Sequence, residues 1–401
     1  MSEILLLILV LLLIAVLLRL DVVFYLIYVL FGVYAVSRWW TTKGLRVVEM
    51  ERLFTDHAFL GERITVKLQL RNSALLPLPW LRLHEHLPLD LHSPSFLRRV
   101  TSLGPRESVA ISYELDCRRR GYYPIGPLEL RGGDLFGFAE AKSQKGDADH
   151  LTVYPEIIPL TDLGLPSRSP FGTIRSQQRI FEDPARTSGV RDYRAGDSLR
   201  HINWKASARQ ESLLVKKYEP AISLHTAIFL NLNRDEYGHQ QWYDAPEWAI
   251  VVAASIASHL VERRQAVGLM TNGHQPTPEH GDGSRGPAPA LALPPRPGRL
   301  HLMKVLELLA RVEPQAAEPF SHWLQQASLP LSWGDTAMAI TPVADEAACR
   351  ALHQLCRRGF NVVLIAVEPQ ARFGLVRERA RRLGFTAYEV SRKRDLEAWR
   401  Q

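Results

Sequence analysis

Residues 191–209 read RDYRAGDSLRHINWKASAR. Five of the nineteen are cations, Arg191, Arg194, Arg200, Lys205 and Arg209, set among Asp192, Asp197, Tyr193 and Trp204. Arginine and tryptophan dominate interface energies, so the chemistry on offer is recognition, with Arg200 and Trp204 as anchors for an acidic protein surface. The same charges also suit a structural ion-pair network in which Asp192 and Asp197 each hold a neighbouring arginine. A phosphate or nucleotide site is a third reading, but no GxxxxGK[ST] or GxGxxG loop accompanies it. His84-Glu85-His86 would put two imidazoles on one face of a strand, a spacing that metal ligands use. No third ligand is identifiable, and an ordinary surface strand explains the triplet. For catalysis there is no nucleophile elbow, no HExxH and no triad. Ser207 and His201, six apart on a helix, face different ways. The sequence names no catalytic residue and calls for no cofactor.

The signature has to be positioned by a turn and a helix. Gly196 supplies backbone freedom, Asp197 is placed as N-cap, and the spacing predicts a helix from Ser198 to about Ala208. Leu199, Ile202 and Ala206 fall on one face; Arg200, Trp204 and Ser207 fall on another. Before it, residues 156–186 are polar and aperiodic, so 156–209 is a connector plus the signature. Residues 45–155 alternate with period two, as in Ile64–Leu70 and Val109–Leu115, and turn residues separate the runs. That predicts an antiparallel β-sandwich of immunoglobulin-like architecture without the Cys–Trp–Cys signature. Residues 210–401 alternate strands and helices and predict a parallel, doubly wound α/β sheet. The expected strands include 226–232, 266–271, 336–341, 361–367 and 386–390. The expected helices are 246–264, 301–312, 345–358 and 370–383. In the first of these helices, Trp248, Val251, Val252, Ile256 and Leu260 share a face. Residues 272–299 are dense in Gly and Pro and read as a flexible insertion with neither helix nor strand.

Residues 4–36 carry only Arg19 and Asp21 as charges. Two transmembrane helices within residues 1–43, about 4–20 and 22–40, meeting at that pair, fit the bilayer better than one long one. Trp39 and Trp40 suit the interfacial belt, and Arg38, Lys43 and Arg46 place the large C-terminal part in the cytoplasm, a multi-pass inner (plasma) membrane topology. A cleaved signal peptide is the rival reading; the start carries Glu3 and no Lys or Arg, and no small-x-small site follows Leu18. The chain has 401 residues, a net charge of +7 and a pI near 9.4. This fits nucleic acid, anionic lipid or an acidic protein without choosing among them. Arginines cluster again at Arg372, Arg377, Arg379, Arg381 and Arg382, which a solvated helix face explains. No aromatics interleave with them, which argues against nucleic acid. Cys117, Cys349 and Cys356 form no CxxC pair, so neither a disulfide framework nor a zinc site is expected.

The order Arg191-x-Tyr193-x-x-Gly196-Asp197-x-x-Arg200-x-Ile202-x-Trp204-x-x-x-Ala208-Arg209, followed by Leu-x-Val-Lys, resembles the hallmark of the domain of unknown function 58 family. A second similar segment is Arg120-Gly-Tyr-Tyr-Pro-Ile-Gly-Pro127, leading into Gly133–Phe138 and Val153–Pro155. The layout of membrane hairpin, β-rich region, signature and α/β domain is similar too. The resemblance implies that the α/β domain is like a von Willebrand factor type A domain. It also implies a working partnership with MoxR-type AAA+ ATPases, beside which such proteins are commonly encoded; it implies no established reaction. Type A domains carry a metal site, D-x-S-x-S, after the first strand. Here the segment reads Asn231-Leu-Asn233-Arg-Asp235, which has lost the first carboxylate that Mg²⁺ favours. Asn231, Asn233 and Asp235 are therefore a degenerate metal candidate, with Asp335 or Asp345 as contributors from later loops. The expectation is a membrane-tethered, non-enzymatic adaptor or scaffold working with such an ATPase in complex assembly or maturation. The alternatives are a metal-dependent ligand binder or hydrolase at the top of the α/β sheet, and a binder of anionic lipid or nucleic acid.

Overall fold

Helix α1 (Ser2–Leu18) opens the chain and α2 (Asp21–Val47) follows it. The computed structural model describes residues 2–18, 21–88, 90–92, 99–134, 139–160, 182–194, 202–210, 212–220, 225–238, 244–276, 291–368 and 373–398. Two units result: Met1–Glu156 with Leu306–Val312, and Ile157–Val305 with Glu313–Gln401.

Helix α2 is 27 residues long and, among the described residues, is the one helix long and apolar enough to cross a membrane. Helix α1, with 17 residues, is shorter than the ~20 a full crossing needs. Val22, Tyr25, Tyr28, Val29 and Phe31 stand exposed on α2. The expected end of the second helix near Trp40 is corrected: α2 runs on to Val47 and leads directly into a strand. Its last turns are held by packing. Leu45 lies in the core of the β-domain, Trp40 Nε1 donates to the Pro77 carbonyl at 2.9 Å, and Gly44 sits where a Cβ would meet Leu78 Cδ2 at 2.9 Å.

Strands β1 (Val48–Leu53), β2 (His57–Phe59), β3 (Arg63–Asn72), β4 (Leu78–Glu85), β5 (Leu91–His92), β6 (Arg99–Leu103), β7 (Ser108–Cys117), β8 (Gly121–Ile125), β9 (Leu128–Gly133), β10 (Glu140–Lys145) and β11 (Asp149–Tyr154) build the first unit. They form sheets ordered β1-β3-β7-β5, β10-β9-β4-β6 and β2-β11-β8. The period-two expectation holds: Ile64, Val66, Leu68 and Leu70 on β3 alternate between buried and exposed neighbours, and Ile64 registers with Leu115 on β7. Apolar residues of both four-stranded sheets join one core, among them Leu68, Leu81, Ile111 and Leu130. Three polar groups are buried with it. Arg52 Nε donates to Glu85 Oε1 at 2.8 Å, and Tyr113 Oη donates to Glu85 Oε2 at 2.6 Å. Arg52 also pairs with Asp149. Burial and the Glu85 charge push the Tyr113 phenol pKa far up, so it stays a donor. The second segment that carried the family resemblance finds its role in this unit. Arg120, 7% exposed, donates from Nη1 to the carbonyls of Leu309, Ala310 and Val312 at 2.9, 3.1 and 2.8 Å.

In the second unit, β12 (Glu182–Asp192) pairs antiparallel with β13 (Leu214–Pro220), with the short helix α3 (Trp204–Gln210) between them. The connector expected to stay irregular to residue 186 is thus strand from 182. The rest is a six-stranded sheet of β14 (His225–Leu230), β15 (Ala266–Thr271), β16 (Leu291–Arg296), β17 (Thr336–Thr341), β18 (Asn361–Ala366) and β19 (Thr386–Glu389). Its order is β16-β15-β14-β17-β18-β19, with β16 antiparallel to β15 and every other pairing parallel. The helices are α4 (Asp244–Glu262), α5 (Arg299–Arg311), which from Leu306 on belongs to the first unit, α6 (Phe320–Ala327), α7 (Glu346–Arg357), α8 (Phe373–Leu383) and α9 (Lys393–Ala398). The expected single apolar face of α4 is corrected: Ala249, Ile250, Val252, Ala253, Ile256, Ala257 and Leu260 bury it nearly all round. The flexible insertion is corrected in part, because 291–296 is strand β16. An edge strand tolerates Pro294 and Pro295, and the pairing with β15 is irregular between Val267 and Leu269. Strand β16 lies so close to Gly268 that a Cβ there would meet Leu293 O at 2.7 Å.

Tyr113→Phe removes one donor from the buried Glu85 carboxylate without changing shape. The expected loss is about 1–3 kcal/mol of stability, read as a lowered urea midpoint with unchanged slope.

Candidate functional site

In a doubly wound sheet, ligand sites lie beyond the carboxyl ends of the strands, where the strand order reverses. Here the reversal falls between β14 and β17. Asn231 follows β14, and its backbone N–H donates to Ile340 O of β17 at 2.9 Å. Its side chain is fully buried, and the residue is 0% exposed. The amide Nδ2 donates to Glu236 Oε2 at 2.6 Å and to Thr341 Oγ1 at 2.9 Å. The Oδ1 accepts from Asn272 Nδ2 at 2.8 Å and from the Asn233 N–H at 3.1 Å. A primary amide offers two donors and two lone pairs, and all four positions are filled by protein.

The neighbours are equally engaged. Asn272 Oδ1 accepts from the Leu232 N–H at 2.6 Å. Asn233 Oδ1 accepts from the N–H groups of Asp235 and Ala317, and its Nδ2 donates to Glu318 O. Glu236 Oε1 accepts from the Phe320 N–H, the first of α6. Tyr237 Oη donates to Asn231 O at 2.6 Å, and complete burial, with Glu236 adjacent, raises its pKa. Of the degenerate metal candidates, Asn231 and Asn233 are brought together, whereas Asp235 is exposed in a 3-10 turn, Arg234–Glu236. Asp335 precedes β17, at the opposite edge of the sheet, where it accepts from the Ser332 N–H. Asp345 caps α7 through the Ala348 N–H at 2.7 Å. Neither joins Asn231. Among the described residues no group of three His, Cys, Asp or Glu could hold an ion.

The His84 and His86 rings do share a face, edge to face at 5.1 Å, with His86 Nδ1 at 3.1 Å from Pro127 O. Arg377, Arg379, Arg381 and Arg382 lie exposed on α8, as a solvated face requires; Arg372 lies outside the described residues.

At the signature, Gly196, Asp197, Arg200 and His201 lie outside the described residues. The helix starts later than the spacing predicts, at Trp204, and Asn203 takes the capping place, its Oδ1 accepting from the Ala206 N–H at 3.3 Å. Arg191 stands on β12 opposite Val215, and the Tyr193 N–H donates to Leu213 O at 2.8 Å. Ile202 is buried and bridges Val215; the Asn203 N–H donates to Leu214 O at 2.8 Å. Ser207 does not share the open face expected for it. It is buried, accepts from the Leu214 N–H at 2.9 Å and donates to Asn203 O at 3.0 Å. Trp204 is 66% exposed, with Lys205, Ala208 and Arg209 also exposed on α3.

Residues 189–331 match the family model described as "Protein of unknown function DUF58". An uncharacterized protein of Bacillus subtilis (strain 168), YeaD, is 25% identical over 270 residues, 66% of this chain and 62% of that protein. The match thus spans about three fifths of that relative's length. Among solved structures, a von Willebrand factor type A protein from Catenulispora acidiphila is similar at 15% identity, covering 47% of this chain and 42% of that one with a TM-score of 0.29. A CARDB domain from Pyrococcus furiosus covers 26% of this chain and 86% of that one at 14% identity and a TM-score of 0.21.

The matched stretch 189–331 holds the signature and most of the sheet-edge network, from Val190 on β12 through Asn231 and Asn272 to Glu318, while Ile340 and Thr341 lie beyond it. Sequence reasoning missed Glu236, Tyr237, Asn272, Gln315 and Thr341 at the sheet edge, and Asn203 at the signature. Asn272 and Thr341 carried one usable signal, because each is polar at the carboxyl end of an apolar strand.

Asn231→Asp replaces the NH₂ that bonds Glu236 by a carboxylate oxygen. The expected cost is about 3 kcal/mol, as for an uncompensated buried charge. Like-charge repulsion raises the pair's folded pKa above its unfolded value, so stability is kept in acid and lost as pH rises through the raised value. Denaturant melts in mild acid and above neutrality therefore diverge for the variant more than for the wild type. For the wild type, Mg²⁺ gives no thermal shift, because every position of the Asn231 amide is already bonded.

Proposed function

We propose that this protein is a membrane-tethered, non-enzymatic adaptor or scaffold that works with a MoxR-type AAA+ ATPase in the assembly or maturation of a protein complex. One observation carries the reading: the signature presents Trp204, Lys205 and Arg209 outward on a helix that Ile202, Asn203 and Ser207 hold in place. A large aromatic flanked by cations on a fixed helix is an interface anchor for an acidic partner. The closed amide network at the sheet edge supports the same reading, since it leaves no lone pair of Asn231 for a catalytic ion.

The tether in this proposal is a hairpin of α1 and α2 across the inner membrane, multi-pass, with the remaining chain cytoplasmic. Its support is the exposed apolar surface on both helices, including Leu9, Leu13 and Leu17 on α1, and the cations that follow the apolar stretch of α2. The β-domain in this reading is an immunoglobulin-like sandwich that serves as the platform next to the membrane.

Trp204→Ala with Arg209→Ala tests the surface. Neither side chain is buried, so the circular dichroism spectrum and melting midpoint stay as in the wild type. Binding of a purified MoxR-type ATPase, followed by calorimetry in the presence of ATP, weakens by about thirtyfold or more, the loss of a hot spot worth ~2 kcal/mol. A folded variant that binds as tightly as the wild type would falsify the adaptor surface.

A further inference from the structure

We propose that the foot of α2 is a binding site for the headgroup of an anionic phospholipid; the inference rests on α2 crossing the bilayer as proposed above. Tyr34, Arg38, Trp39, Thr42, Lys43 and Arg46 recur at spacings of three and four and line one cavity of about 630 Å³. Phe31 and Ala35 close its upper end with apolar surface. No carboxylate is among the described residues that line it.

The position follows from length. An α-helix rises ~1.5 Å per residue, and a hydrocarbon core of ~30 Å consumes about 20 residues. Counted from Asp21, the apolar layer is used up near Trp40. Arg38, Lys43 and Arg46 therefore bracket the boundary at which lipid phosphates lie. Their stems are organised locally: Arg38 Nη1 donates to Tyr34 Oη at 3.4 Å, and Lys43 Nζ sits 5.1 Å from the centre of the Trp39 ring. Lys145 adds a cation beside them, donating from Nζ to Arg46 O at 2.9 Å. The buried stripe of the helix, Ser37, Thr41, Gly44 and Leu45, is committed to packing.

The occupant is an amphiphile because the cavity is one. Its cationic end matches a phosphodiester, and its apolar end continues into exposed Tyr28 and Val29, along which acyl chains can run. A free anion would leave that apolar half in water. Juxtamembrane cations attract anionic headgroups by about fivefold each near the surface.

The test uses the full chain in phosphatidylcholine vesicles that contain a minor share of brominated phosphatidylglycerol or, in matched vesicles, of brominated phosphatidylcholine. Bromine quenches tryptophan at contact, so Trp39 reports occupancy. The expected result is severalfold stronger quenching by the brominated phosphatidylglycerol. The difference shrinks in Trp39→Phe and vanishes in the Arg38→Gln, Lys43→Gln, Arg46→Gln triple variant, which keeps its circular dichroism. Equal quenching of the wild type by both lipids overturns the headgroup site while leaving the membrane reading intact. Quenching by neither lipid, with release of the chain by an alkaline wash, overturns the membrane reading itself. Loss of the phosphatidylglycerol difference on adding inorganic phosphate overturns the lipid assignment in favour of a free anion.

Discussion

The side-chain amide of Asn231 is bonded at every position it has, and the carboxyl edge of the α/β sheet is arranged around it. Its backbone ties β14 to β17, its Oδ1 ties in Asn272 at the end of β15, and its Nδ2 reaches Thr341 at the end of β17. Glu236 passes the connection on to the first N–H of α6, and Asn233 passes it to Ala317 and Glu318. Gln315 closes the circuit, donating from Nε2 to Asn272 O. The half-buried Glu236 carboxylate thus accepts from two neutral donors, the Asn231 amide and the Phe320 N–H. In a low-dielectric interior a fully satisfied network of this kind is stiff, while a half-satisfied one is costly. The neutral amide at the first position lets the loops close without the repulsion that two carboxylates would bring.

A second constraint acts in the first unit. Helix α2 has no flexible link to the β-domain; its last turns are part of that domain's core through Leu45, and the chain enters β1 at the next residue after Val47. Gly44 permits the approach of Leu78, and Trp40 fixes the helix to the carbonyl of Pro77. A helix built in this way transmits position. Sheet β10-β9-β4-β6 packs on the last turns of the same helix that carries the exposed apolar stretch, so the β-domain stands at a fixed place along that helix axis.

Where burial alone decided the structure, the pattern was readable. The alternation in Ile64–Leu70 and Val109–Leu115 is the register of β3 against β7, and 336–341 is strand to the residue. Where backbone geometry decided it, composition misled. The Gly and Pro density of 272–299 describes a chain that cannot make an interior strand, yet an edge strand needs few donors, and Gly268 opened room for one. Length misled at α2, because the apolar stretch ends before the helix does. The sheet-edge network was unreadable for a different reason: Asn231, Asn272, Gln315 and Thr341 come from four separate segments, and no spacing rule joins them. At the signature, the expected cap Asp197 lies outside the described residues, and the cap of α3 is Asn203, directly before Trp204.

The way α3 is fastened bears on what it is for. A helix of seven residues is too short to be stable alone, and the usual remedy is to bury its largest apolar side chain. Burying a tryptophan would supply 2 kcal/mol or more by area, at roughly 25 cal/mol per Å². Helix α3 does the opposite: it is fastened by Ile202, by the backbone of Asn203 and by the hydroxyl of a serine, and it leaves Trp204 outside. A segment selected for local stability alone would reverse that assignment. Polar anchors fix orientation more narrowly than apolar contact does, since they act through distance and angle. The outward side chains are therefore held in a defined direction while contributing little to the fold, which is the arrangement the proposed docking surface requires.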